Sequence, residues 1–150
     1  MIDKKGNIMK IGYTCGVYDL FHVGHLNLFE KCKQHCDYLI VGVCDDNYVK
    51  EYKDKKPVIN EQERARIVGA LKCVDEAVII NSVETVDKLL AWNKFHFNVL
   101  FSGDDWKGTE RFIKTEQEFK KNGIDVDMVF FPYTQGVSTT QIKKDMSEYK

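Results

Sequence analysis

No stretch of this 150-residue chain is apolar for long enough to cross a membrane, and its first residues, Met1-Ile2-Asp3-Lys4-Lys5, lack the apolar segment of a signal peptide. A cytoplasmic location without membrane insertion is the expectation. An excess of charge is equally lacking. The 22 basic and 23 acidic residues leave a net charge of −1, and the basic residues are not segregated, which argues against a nucleic-acid surface. Paired CxxC motifs are missing from the five cysteines, Cys15, Cys32, Cys36, Cys44 and Cys73. Cys32, His35 and Cys36 share one helical stretch, but no second ligand pair stands elsewhere at zinc spacing. Reduced structural thiols are expected, and no metal held by the protein itself. There are no repeats and no low-complexity segments, and neither a Gly-x-Gly-x-x-Gly fingerprint nor a lysine-bearing P-loop.

What is there is an ordinary globular composition, 43% apolar and 30% charged, in a length that suits one core. Residues 1–150 are expected to form a single domain, with 1–8 as a flexible N-terminal extension. Short apolar runs rich in β-branched and aromatic residues mark strands at Lys10–Cys15, Tyr38–Cys44, Glu76–Ile80, Val99–Ser102 and Met128–Phe131. Helical patterns lie between and after them, at His25–Cys36, Glu61–Leu71, Val83–Phe95, Glu110–Asn122 and Ser138–Met146. Asn60 and Ser82 read as N-caps, Glu63 completes a capping box with Asn60, and Asn122-Gly123 reads as a helix stop. Alternating strands and helices predict an α/β fold, a doubly wound, Rossmann-like sheet of five parallel strands with helices on both faces. In such a sheet, ligands bind beyond the carboxyl ends of the strands at the topological switch point.

Three polar segments fall at such ends. The first is Gly16-Val17-Tyr18-Asp19-Leu20-Phe21-His22-Val23-Gly24-His25, between a strand and a helix. Its two histidines, three residues apart, can share a helix face, and Gly24 between them permits close approach of a ligand. A helix start favours anions, so the pattern points to a phosphate site. The second segment is Gly103-Asp104-Asp105-Trp106, whose carboxylates can accept from ribose hydroxyls or an exocyclic amine and whose indole can pack on a substrate. The third is Thr134-Gln135-Gly136-Val137-Ser138-Thr139-Thr140, where Ser138 or Thr139 caps a helix and neighbouring hydroxyls and amides face a phosphate tail. The connector Lys50–Pro57 leaves the carboxyl end of the second strand, and Lys53 or Lys55 can reach a phosphate as a point charge. Arg64, Arg66 and Lys72 read as surface charges.

These residues resemble the His-x-Gly-His nucleotidyltransferase superfamily and, within it, the cytidylyltransferases, with the closest likeness to those acting on glycerol 3-phosphate. The likeness runs from Lys10 to Met146. Gly16 to His25, Asp37 to Val41, Asn60 to Arg64, Val74 to Glu76, Gly103 to Trp106 and Gly136 to Thr140 carry it. The resemblance implies CTP and a small alcohol phosphate as substrates, Mg²⁺ on the triphosphate, and a homodimer. His22 and His25 would then donate to the α-phosphate, beside amides near Gly16, Val17 and Tyr18 and the close approach at Gly24. Ser138 and Thr139 would hold the β and γ phosphates. Gly103, Asp104, Thr134, Gly136 and Val137 would meet the nucleoside. Asp19, Lys53, Lys55, Lys72 and Trp106 would form the acceptor side, with Lys53 and Lys55 also serving catalysis. Three positions depart from the family pattern, which commonly has arginine and glutamate where this chain has Tyr133 and Gln135 and, often, arginine where it has Lys72. Two other activities fit the same residues: adenylyl transfer to a phosphorylated cofactor such as FMN, and nucleotide binding without catalysis.

Overall fold

The structure is a computed structural model and describes residues 1–148. Five strands, β1 (Ile11–Gly16), β2 (Tyr38–Cys44), β3 (Glu76–Ile80), β4 (Val99–Gly103) and β5 (Asp127–Phe131), form one parallel sheet in the order β3-β2-β1-β4-β5. The chain runs outward from β1 to β3, then returns to place β4 on the other side of β1. The switch point therefore lies between β1 and β4, as expected for a doubly wound sheet.

Alternation along the strands divides the core in two. Leu39, Val41 and Val43 of β2 and Val99 and Phe101 of β4 pack with Phe29 and Cys32 of α1 (Val23–Gln34) and Val68 of α3 (Glu61–Gly69). Ile11, Tyr13, Ile40 and Leu100 face the opposite way, against Ala91 of α5 (Lys88–Phe95) and Phe112 and Phe119 of α6 (Glu110–Lys121). A strand buried on both faces needs apolar residues at nearly every position, which is why β2, YLIVGVC, reads as an almost continuous apolar run. All five cysteines are free. Among the described residues no helix is long and apolar enough to cross a membrane.

The stretch expected as one helix over Val83–Phe95 is two, α4 (Ser82–Val86) and α5. Asp87 stands at the break with extended backbone, and its side chain accepts from the Leu89 amide to begin the second helix. The N-cap of α4 is Asn81 rather than Ser82, closed by a capping box with Glu84. Part of the expected lysine connector is also helical, as α2 (Asp46–Lys53). Asp45 caps it at the Tyr48 amide, and its only apolar face, Tyr48 and Val49, is buried against Cys44 and Ile80. Asn60 caps α3 as expected, accepting from the Glu63 amide. Residues 2–8 close a turn through an antiparallel bridge between Ile2 and Ile8, with Asp3 accepting from the amides of Lys5 and Asn7.

Candidate functional site

A cavity of about 440 Å³ opens at the carboxyl edge of the sheet, between the ends of β1 and β4 and under α2 and α7 (Thr139–Glu148). Gly16, Val17, Tyr18, Asp19 and His25 form one wall, from the segment joining β1 to α1. Backbone conformation makes this wall: Tyr18 and Leu20 both adopt the left-handed region, with φ of 57° and 49°. Such strain in non-glycine residues is concentrated at functional sites and is held in place by surrounding structure. Here the holding residue is Asp19, which is 5% exposed. Its carboxylate accepts from the amides of Val58 (2.9 Å) and Ile59 (3.0 Å) and pairs with Lys143 of α7 at 3.4 Å. Its carbonyl accepts from the Thr139 hydroxyl at 2.8 Å. Burial alone would raise the Asp19 pKa, but the two amides and Lys143 outweigh it and hold the group below its ordinary value. With its oxygens so engaged, Asp19 is a strut between three segments as well as part of the cavity lining.

The two histidines start α1 together. His22 is the N-cap, and its Nδ1 accepts from the Gly24 amide at 3.1 Å, while Nδ1 of His25 accepts from the His22 amide at 3.2 Å. The rings stack with centroids 3.8 Å apart. A Cβ on residue 24 would lie 2.8 Å from the His22 ring and 3.2 Å from Val137, so only glycine lets the imidazole cap its own helix here. Because each Nδ1 accepts a backbone proton, each neutral ring carries its hydrogen on Nε2. Burial, with the neighbouring His22 adding to it, lowers the His25 pKa to about 4; burial also lowers that of His22. Both are therefore neutral donors at physiological pH, and His25 lines the cavity.

Lys53 and Lys55, at the end of α2 and just past it, line the cavity, as do Gly103, Trp106 and Thr139. His22, Gly24, Asp104, Thr134, Gly136, Val137 and Ser138 are next to lining residues in sequence or belong to the same connecting segments, but do not themselves line the cavity. Thr134 is tied to α1 through Asn27 at 3.2 Å, and Ser138 caps α7 at the Gln141 amide. Tyr133, in the place of a family arginine, donates to Asp105 at 2.9 Å and so joins the end of β5 to the turn after β4. Burial, then the Asp105 carboxylate, raises the Tyr133 pKa, so the phenol stays protonated to make that bond. Lys72 does not join the site. It is exposed in the turn that enters β3, at the amino edge of the sheet, the far end from the cavity, and this corrects its expected acceptor role.

Sequence reasoning missed four cations. Arg64, read as a surface charge, is 1% exposed. It donates to the carbonyls of Ile59, Val17 and Cys44 at 2.7–2.8 Å and to Asp46 at 2.6 Å, fastening the carboxyl ends of β1 and β2. Lys88, Arg111 and Lys143 all line the cavity. Of these only Lys143 left a signal, four residues and so one helical turn after Thr139.

Among the described residues no group of three or more His, Cys, Asp or Glu side chains is gathered to hold a metal ion. The chemistry on offer is anion binding: two oriented imidazole donors, a helix start and several cations around one crevice. Comparison with known proteins agrees in kind. A family model described as cytidylyltransferase-like matches residues 13–145. The chain is 37% identical over 139 residues to a glycerol-3-phosphate cytidylyltransferase of Bacillus spizizenii, covering 93% of this chain and 98% of that one. It is 36% identical over 135 residues to the bifunctional protein HldE of Hyphomonas neptunium, where the match covers 89% of this chain but spans only 26% of the relative. A solved structure, a lipopolysaccharide core biosynthesis protein from Thermoplasma volcanium, superposes with a TM-score of 0.74 at 25% identity, over 85% of this chain and all of that one. The chain therefore belongs to the cytidylyltransferase-like family, a family of nucleotidyl-transferring enzymes.

Proposed function

We propose that the chain transfers CMP from CTP to a small alcohol phosphate, glycerol 3-phosphate, giving CDP-glycerol and diphosphate. The observation that carries this reading is the pair of stacked imidazoles at the start of α1, whose Nδ1 atoms are occupied by backbone amides, which leaves Nε2–H as the free donor of each ring, with His25 lining the switch-point cavity. In the reaction a phosphate oxygen of the acceptor attacks the α-phosphorus of CTP. The bond from that phosphorus to the α–β bridging oxygen breaks, and diphosphate leaves with the electron pair. No bond to the enzyme is formed, so the protein's part is positioning and charge stabilisation.

His22 and His25 donate to the non-bridging α-phosphate oxygens as they gain charge. As neutral donors they need no proton taken up beforehand, and their orientation is set by the helix they begin. Lys53 and Lys55 supply mobile point charges from the α2 side, and the start of α7 at Thr139 takes the β and γ phosphates. Gly103, Asp104 and the Thr134–Val137 stretch meet the nucleoside. Mg²⁺ would be held by the triphosphate rather than by a protein side-chain cluster, and would supply Lewis-acid neutralisation of the phosphate charge. The named activity of the 37% identical Bacillus relative supports the choice of acceptor.

The test is mass spectrometry of the products from each of the four nucleoside triphosphates with glycerol, ribitol, erythritol, choline and ethanolamine phosphates and with FMN. CDP-glycerol is the expected product; a preference for ATP, or CTP binding without diphosphate release across the whole panel, overturns the reading. His22→Ala and His25→Ala are each expected to lower kcat about 10²–10³-fold, the scale for loss of one transition-state donor.

A further inference from the structure

On the α5/α6 side of the sheet the cavity carries charge of one sign. Lys88, in the first turn of α5, is 4% exposed. Its ammonium donates to the Thr85 carbonyl and lies 3.3 Å from the Cys15 sulfur, both uncharged partners. Across the same lobe the Arg111 guanidinium sits 4.9 Å from the centre of the Trp106 ring, and the indole leans on Phe112 at 5.7 Å. Among the described residues the cavity wall holds one carboxylate, Asp19, and that is already engaged with two amides and Lys143.

A cationic head group is recognised either by a free carboxylate or by an open aromatic face. Here the carboxylate is spent and the indole face is occupied by the protein's own cation. We propose that Arg111, seated on Trp106 and backed by Lys88, is a specificity-determining residue that restricts the acceptor to phosphate esters whose remaining portion carries no positive charge. The class is a polyol phosphate; the phosphate esters of amino and quaternary ammonium alcohols are excluded by two fixed cations and a covered ring. This rests on the reading that the cavity takes an alcohol phosphate, and it adds which residues select it.

Calorimetric binding of glycerol 3-phosphate and of phosphocholine, each to the CTP-loaded protein in the absence of divalent metal so that no transfer occurs, tests the proposal without relying on turnover. The wild-type protein is expected to bind glycerol 3-phosphate at least about tenfold more tightly, the scale of a single cation–π interaction. Arg111→Ala, which bares the indole, is expected to narrow that ratio about tenfold, and Arg111→Lys, which keeps the charge, to preserve most of it. Arg111→Gln gives the same reading as Ala if the smaller side chain destabilises α6. Equal affinities in the wild type, or a ratio unchanged in both neutral variants, overturns the proposal, as does failure of both esters to bind. Selective binding without CMP transfer leaves it standing and overturns only the functional reading above.

Discussion

Replacing Arg64 by alanine is expected to be the most damaging single change outside the apolar core. The guanidinium is held by four acceptors: the carbonyls of Ile59, Val17 and Cys44 and the carboxylate of Asp46. Its side chain is fully buried while that of Asp46 is about one-third exposed, so water can resolvate the carboxylate but not readily the carbonyls. Each buried acceptor left without a donor costs about 1–3 kcal/mol. Three of them, reduced by partial relaxation, give about 3–5 kcal/mol, the range found when one partner of a buried ionic contact is deleted. A domain of this kind has about 5–15 kcal/mol in total, so the variant retains a fold but with much of its margin gone. With a urea slope of about 2 kcal/mol per molar, the unfolding midpoint is expected to fall by about 2 M. Arg64→Lys keeps the charge but lacks the fork that reaches both strand ends, so it is expected to recover less than half of the loss. A midpoint lowered by less than about 0.5 M in Arg64→Ala, with an unchanged slope, would refute the assignment of Arg64 as the fastening between β1 and β2.

The acidic side of the stability profile is expected to carry the mark of His25. Its pKa is about 4 in the folded chain against an ordinary 6.5, so the unfolded chain takes up the proton first. The contribution is whole above the ordinary value and is lost as pH falls from there toward 4, by about 1–2 kcal/mol between pH 7 and 5 after allowance for partial exposure. Urea unfolding of the wild type and His25→Gln at the two pH values checks this, and equal losses in both would contradict it. In the core, Gly12→Ala would place a Cβ 2.4 Å from the Phe101 ring and 2.8 Å from the Cys36 sulfur. Overpacking of that kind is expected to cost about 1–3 kcal/mol, read as a lowered thermal midpoint, with no change in nucleotide preference because the position lies at the start of β1.

The strands were the most legible part of this chain because the sheet is covered on both faces. Residues such as Leu39 and Ile40 go to opposite cores and both must be apolar, so the run is visible without any periodicity. The helix α2 was not legible, since only Tyr48 and Val49 of its eight residues are buried and the rest is polar. The break at Asp87 was hidden because aspartate inside a helical pattern looks the same whether it caps or is solvated. At the site, the histidines could be read because their geometry is local, three residues along one helix start. Arg64 and Lys88 could not, because what defines each is a contact across the fold, Arg64 with Val17 and Cys44 and Lys88 with Cys15; Arg111 could not because its seat on the Trp106 ring depends on how the turn after β4 meets α6. Asp19 was legible as a site residue, but its bracing role was not, since nothing in the sequence shows that the amides of Val58 and Ile59 return to it.

The reciprocal capping of His22 and His25 also restricts which residue types can replace them. Each ring has one nitrogen bound to the backbone, and under the proposed function the other donates to phosphate. Asparagine places an acceptor where Nδ1 stands but is too short to deliver a donor at the position of Nε2. Glutamine reaches that position but leaves the backbone amide without its acceptor. Aspartate can cap a helix but brings negative charge to a site that receives phosphates. Histidine alone among the twenty side chains carries an acceptor and a donor at the two required distances from one Cα. A mutational path away from either histidine therefore loses the helix start, the donor, or both in its first step, and no second substitution at the same position restores them together.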